Sequence, residues 1–160
     1  FPDRLRIHVP IHGNGIRLHF QNPAEMIPLS TFAQLRFNGA RPAQVELVDG
    51  AIIAFNLIFR PDVAAEVEIV QIGSQEMALE LDRLPAQIAQ STNIVQIVYT
   101  VNGAVVLMIA DQPAITLHSA DAFVFHSRAV GQPLEAKVEL RSLGASAEVL
   151  VATLMISSAE

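Results

Sequence analysis

The chain contains no cysteine and no tryptophan, a single tyrosine and a single lysine, Lys137, in 160 residues. Without cysteine there is no disulfide scaffold, no thiol nucleophile and no thiolate-ligated zinc or iron–sulfur centre. Ten basic side chains stand against sixteen acidic ones. The deficit is spread evenly: residues 1–80 carry nine acidic and six basic groups and residues 81–160 seven and four, so each half is −3. With no basic stripe to offset phosphate repulsion, nucleic acid is excluded as a partner. Long apolar runs are also missing. The longest, AVVLMIA (104–110) and VLVATLMI (149–156), fall far short of the roughly 20 residues of a membrane-spanning helix. Absence of cysteine and of any leader pattern fits a cytoplasmic protein.

What is present is the punctuation of an all-β protein with little or no helix. Short alternating or apolar runs are separated by turn residues. Strands are expected near 5–10, 15–20, 27–29, 32–37, 44–48, 52–59, 65–72, 76–81, 93–101, 104–109, 115–117, 122–126, 135–141 and 147–156. The only stretch with a helical argument, Met77–Gln90, is interrupted by Pro85, and its MALEL segment alternates with period two. Asn102-Gly103 reads as a two-residue hairpin turn, Asp49-Gly50 as a second, and Gly13-Asn14-Gly15 as a third, because Asn, Asp and Gly tolerate positive φ.

The chain also looks duplicated. Residues 15–37 can be laid on 103–125 at a constant offset, which places Ile27, Leu29 and Phe37 on Ile115, Leu117 and Phe125. Further along, VEL (45–47) matches VEL (138–140), and FNLIF (55–59) resembles ATLMI (152–156). Two strand-rich halves, 1–72 and 73–160, are therefore expected as small barrels or sandwiches in one compact unit.

Chemical constellations are sparse. His8, His12, His19, His118 and His126 contain no His-x-His pair. His8 and His12 share a face of a straight strand, yet at about 3.3 Å per residue they lie roughly 13 Å apart, too far to hold one ion. These histidines read as solvated or hydrogen-bonded, and neither a metal nor another cofactor is expected. There is no Gly-x-Ser-x-Gly elbow and no phosphate-cradling glycine loop ahead of a helix. The carboxylate pairs Glu66/Glu68 and Glu76/Glu80 read as wet strand faces. No catalytic residue is assigned.

Three residues stand out as candidates for ligand binding. Asn56 interrupts the apolar strand IIAFNLIF, where an amide should be buried and should have a hydrogen-bonding reason to be there. Arg36 shares a face with Phe32 and Gln34, a setting in which a guanidinium suits a carboxylate. Arg6 is the third. Asp121, in HSADAFVF, reads as turn chemistry.

With these residues in place, the sequence resembles the HutD/Ves family of two-cupin proteins. The resemblance rests on FPDRLRIHVPIHGNGIRLHF (1–20), FAQLRFNGARP (32–42) and VELVDGAIIAFNLIFR (45–60), taken in order. Arg6, Asp49, Gly50, Asn56 and Arg60 match its pattern, whereas Ala40 and Ala54 stand where the family has aspartates, and Ile58 where it has Met. The family's Trp-Lys-Asn-Gly-Gly segment, which the resemblance places ahead of Phe1, does not occur here. The resemblance implies a bicupin, two cupin-like halves that bind a small anionic metabolite such as formylglutamate in a regulatory role tied to histidine catabolism. Two other classes remain open: a cupin enzyme, isomerase or oxygenase, and an interaction module whose ligand site has decayed. Exposed sheet edges make a homodimer plausible.

Overall fold

The structure is a computed structural model that describes residues 1–21, 23–73, 77–79, 91–109, 112–130 and 138–157. Glu76, Glu80, Pro85 and Lys137, and parts of the strands expected at 76–81 and 135–141, lie outside these residues. Fourteen strands and no helix form among the described residues. They are β1 (Leu5–His12), β2 (Ile16–Phe20), β3 (Glu25–Leu29), β4 (Leu35–Asn38), β5 (Ala43–Leu47), β6 (Ile53–Phe59), β7 (Val63–Gly73), β8 (Met77–Leu79), β9 (Ser91–Asn102), β10 (Ala104–Ile109), β11 (Ile115–His118), β12 (Ala122–Val130), β13 (Val138–Ser142) and β14 (Ser146–Ser157).

Two compact units divide the chain after Pro61. The unit Phe1–Pro61 has two three-stranded antiparallel sheets, ordered β4-β1-β6 and β3-β2-β5. Period-two alternation sets its interior: along β2, Ile16, Leu18 and Phe20 are buried while Arg17 and His19 point outward. These three residues form an apolar cluster with Leu29 of β3 and Phe37 of β4. Phe20 and Phe37 meet edge to face at 5.1 Å.

The unit Asp62–Glu160 has two four-stranded sheets, β12-β9-β14-β7 and β11-β10-β13-β8. β7, assigned from sequence to the first half, pairs with β14 along eleven residues, Val63 to Gly73. β14 lies between β9 and β7, and Val149, Leu150, Val151 and Ala152 are buried on both of its faces. Glu66 and Glu68 are exposed, as their alternation suggests.

The second unit repeats the first strand for strand: β9, β10, β11, β12, β13 and β14 pair as β1, β2, β3, β4, β5 and β6 do, with β7 and β8 added. Connecting hydrogen bonds recur too. Phe32 N–H donates to Pro10 C=O as Ala120 N–H does to Thr100 C=O, and the Thr31 hydroxyl reaches Gly13 C=O as that of Ser119 reaches Gly103 C=O. Phe32 and Ala120 both adopt positive φ, 68° and 72°. The residue equivalences differ in detail from a constant offset. Gly13, not Gly15, corresponds to Gly103. With Ile16 laid on Val105, the pairings Leu18↔Val45 and Leu107↔Leu140 align Val45 with Leu140, two residues beyond the expected VEL match. A slip of two residues keeps every side chain on its own face, so the apolar pattern alone does not detect it.

None of the three expected hairpin turns joins paired strands. β1 and β2, β5 and β6, and β9 and β10 each lie in different sheets. Gly13, Gly50 and Gly103, with φ of 95°, 69° and 82°, instead mark corners where the chain leaves one sheet for the other. Positive φ reverses or bends the chain, but it does not specify which strand the next segment pairs with. Sequential strands do pair at β2–β3 and β10–β11.

Candidate functional site

On β1, Arg6 and His8 are two residues apart and so share a face. Register places Arg6 opposite Phe37 and His8 opposite Leu35 on β4, and Arg6 opposite Ile58 and His8 opposite Asn56 on β6. Phe37 and Leu35 belong to the interior cluster, so Arg6, His8 and Asn56 lie on the inner face of the sheet. The other face of β1 and β6 is apolar, with Ile7, Val9, Leu57 and Phe59 buried.

Arg6 Nη2 donates to Asn56 Oδ1 at 2.7 Å, and His8 Nδ1 lies 2.7 Å from the same oxygen. Arg6 can only donate, so the Asn56 atom facing it is the carbonyl oxygen, and His8 Nδ1 must carry its hydrogen. The Arg6 guanidinium lies 5.1 Å from the Phe37 ring and 6.0 Å from that of Phe1, within cation–π range. His8 is 7% exposed. Burial, partly opposed by the Asn56 hydrogen bond and joined by repulsion from Arg6, holds its imidazole pKa below 6.5. His8 Nε2 and Arg6 Nε are buried with no hydrogen-bond partner among the described residues. No carboxylate among those residues is ion-paired with Arg6.

Two of the three sequence candidates therefore meet and one does not. Arg36 pairs with Ile7, facing away from Arg6 and Asn56, and its guanidinium stacks 5.1 Å from the ring of Phe59. Asn56 is exposed rather than buried, because β6 is the end strand of its sheet among the described residues and the inner face is open there. His8 is the residue that sequence reasoning left as ordinary. The available signal is its spacing, two residues from Arg6 and between the apolar Ile7 and Val9.

The second unit shows what this position holds without the polar cluster. Aligning Phe37 with Phe125, the pairings Gln96↔Phe125, Gln96↔Thr153, Val98↔Phe123 and Val98↔Val151 place Gln96, Val98, Val151 and Thr153 where the first unit has Arg6, His8, Asn56 and Ile58. Val98 and Val151 are core residues, and Gln96 donates to Thr153 Oγ1 at 3.3 Å. No group of three His, Cys, Asp or Glu residues able to hold a metal occurs among the described residues. No helix among them is long and apolar enough to cross a membrane.

Two other polar groups look structural. Arg17 and His19 both contact the Glu46 carboxylate on the outer face of β2 and β5, at 2.5 and 2.7 Å. These contacts, His19 first, pull the Glu46 pKa below its usual value. Asp121 accepts the His118 N–H at 2.8 Å, the turn role expected of it.

An all-β chain of paired antiparallel sheets in this order is cupin-like in architecture. A mutant of salicylate 1,2-dioxygenase from Pseudoaminobacter salicylatoxidans shares that fold: TM-score 0.53, 8% identity, covering 94% of this chain and 64% of that one. More similar is a conserved protein of unknown function from Pseudomonas aeruginosa PAO1, with TM-score 0.71 and 22% identity over 99% of this chain and 75% of that one. HutD from Pseudomonas fluorescens, in a structure described as a formate condition, matches at TM-score 0.63 and 17% identity, covering 99% of this chain and 71% of that one. The HutD family profile matches residues 1–143, and the chain belongs to the HutD family. No curated protein matches the sequence.

Proposed function

We propose that this protein is a metal-free binding module built from two cupin-like halves, whose first half holds a small anionic metabolite. The observation that carries the reading is Arg6. Its guanidinium is half-buried on an inner sheet face, oriented by Asn56 Oδ1, flanked by aromatic rings and without a carboxylate partner among the described residues. A cation held this way is matched by a ligand carboxylate, which a guanidinium can bind through two parallel hydrogen bonds. In the second unit the uncharged Gln96, bonded to Thr153, stands in place of Arg6, and Val98 and Val151 in place of His8 and Asn56, which supports a site in one half only. Arg6 and Asn56 are the ligand-binding residues of this reading; Arg36 is outside it.

Family membership supports a regulatory role in histidine or amino-acid catabolism, with formylglutamate as the first ligand to test, and a cytoplasmic homodimer belongs to the same reading. Thermal-shift titration with formylglutamate, glutamate and urocanate tests it. A bound ligand at one hundred times its Kd adds about 2.7 kcal/mol of stability. The shift should vanish in Arg6→Ala. No shift at millimolar concentrations favours the second reading, a scaffold in which Asn56 merely ties β1 to β6; the Asn56 oxygen, already shared by two donors, supports that alternative. Stoichiometric Fe, Mn, Ni or Zn in purified protein would instead favour a cupin isomerase or oxygenase.

A further inference from the structure

β5 and β6 are end strands of their sheets among the described residues, whereas their counterparts β13 and β14 are each flanked by one strand more, β8 and β7. Exposure follows that difference. Val45 on β5 is 53% exposed, and its counterpart Leu140, paired with β8, is 0% exposed. Asn56 on β6 is exposed, and its counterpart Val151, opposite Glu68 of β7, is buried. Leu47 and Ile53 extend the exposed apolar surface of β5 and β6. End strands are ordinarily guarded against pairing by proline or charge. Pro28 lies in β3 and Arg36 in β4, but β6, IAFNLIF, carries neither kind of guard.

Charge indicates the chemistry of a strand that would fit there. Residues 1–61 contain six basic and four acidic side chains, a net +2, against four and twelve, a net −8, in residues 62–160. In the second unit β7 sets Glu66 opposite Thr153 and Glu68 opposite Val151, the counterparts of Ile58 and Asn56. A strand added to β6 in the same register sets acidic residues opposite Ile58 and Asn56. Arg6, Ile58 and the added residue then form one row across the inner face. The new carboxylate stands two strand spacings, about 10 Å of backbone, from Arg6, and the two side chains together span that distance. We propose that β6 is a docking edge for a partner protein, which adds an antiparallel strand of alternating apolar and acidic residues with a carboxylate facing Arg6. Main-chain hydrogen bonds along the edge supply affinity, and the acidic positions supply selectivity. Strand addition goes beyond the metabolite reading, since it uses an exposed edge and no enclosed site.

The chain's own β7 sequence serves as the probe: a fluorescein-labelled peptide VAAEVEIVQ, residues 63–71, titrated into the unaltered protein by fluorescence anisotropy. It should bind, and hydrogen exchange across residues 53–59 should slow in the complex. Changing both peptide glutamates to glutamine should weaken binding about fivefold, which is about 1 kcal/mol. Proline placed between them should abolish binding. In Arg6→Ala the glutamate and glutamine peptides should bind alike. Ile58→Asp, at an already exposed position, gives Arg6 a carboxylate of its own and repels an acidic strand, so it should remove binding. No binding of the glutamate peptide overturns the proposal. So does exchange across 53–59 that is already slow and does not change, because the chain itself then covers the edge. A dimer in sedimentation analysis that Ile58→Asp splits overturns it too, since the occupant is then a second copy. Equal binding of the two peptides to the unaltered protein overturns the contact with Arg6. The peptide comparisons use no variant, so a poorly folding Ile58→Asp does not decide the outcome.

Discussion

Replacing Asn56 with Asp puts a carboxylate where both Arg6 and His8 now donate to an amide oxygen 2.7 Å away. Two unit charges 4 Å apart attract by about 1 kcal/mol in water and about 4 kcal/mol at an effective dielectric of 20. Asn56 is exposed, so the lower end applies. Asn56→Asp should therefore raise stability at pH 7 by about 1 kcal/mol. The pH dependence is more telling. In the unaltered protein the His8 pKa is depressed, so between 6.5 and the folded value the unfolded chain binds more protons than the native one. Stability is then complete above 6.5 and falls on acidification, by at most about 1.4 kcal/mol per pH unit. With Asp at 56 the His8 pKa should rise above 6.5, and the sign inverts: the contribution is present below 6.5 and is lost as pH rises through the new folded value. Urea unfolding at pH 5 to 8, with an NMR titration of the His8 ring, measures both. Glu46 titrates below 4.5 and does not intrude on this range. If His8→Leu and the unaltered protein share one pH slope, His8 is not the depressed group. If Asn56→Asp leaves the slope unchanged, Asn56 Oδ1 is not its partner. Either result refutes the geometry of the cluster.

Arg36→Ala should leave carboxylate binding unchanged while Arg6→Ala abolishes it, since Arg36 faces the opposite side of its sheet over Phe59; calorimetric titration with formylglutamate compares the two. Gly103→Ala, at φ 82° with a new Cβ 3.0 Å from Ser146 O and 3.1 Å from Ala147 Cβ, should cost about 1–3 kcal/mol, read as a lower urea midpoint. Leu107→Ala, at a site with 0% exposure in the core of the second unit, should cost about 2–5 kcal/mol by the same measurement. For comparison, Gly50→Ala meets nothing within 4 Å, so its cost is confined to the backbone conformation and should be the smaller of the two glycine changes.

Strand positions were legible because side-chain alternation is local. IRLHF announces a half-buried strand at 16–20 whatever its partners, and the buried Ile16, Leu18 and Phe20 answer to it. The duplication was legible for the same reason, although only hydrogen-bonded register fixed the two-residue shift at Val45 and Leu140. Arg6 and Asn56 could be singled out as polar groups amid apolar strands. Their meeting could not, since it depends on β1 lying between β4 and β6, strands contributed by residues thirty and fifty positions away. The same dependence hid His8 as a neighbour of Asn56 and left open which face of the sheet Arg36 shares with the other candidates.

Composition and period two, by themselves, determined an all-β, cysteine-free, mildly acidic protein with a repeated strand order. Tertiary structure decided which sheet each strand joins, that the glycine turns are corners rather than hairpins, and which side of β4 Arg36 occupies relative to Asn56. The physical reason is one of range. Alternation and turn dihedrals are set by neighbouring residues, whereas strand pairing is set by distant surfaces competing for the same edge.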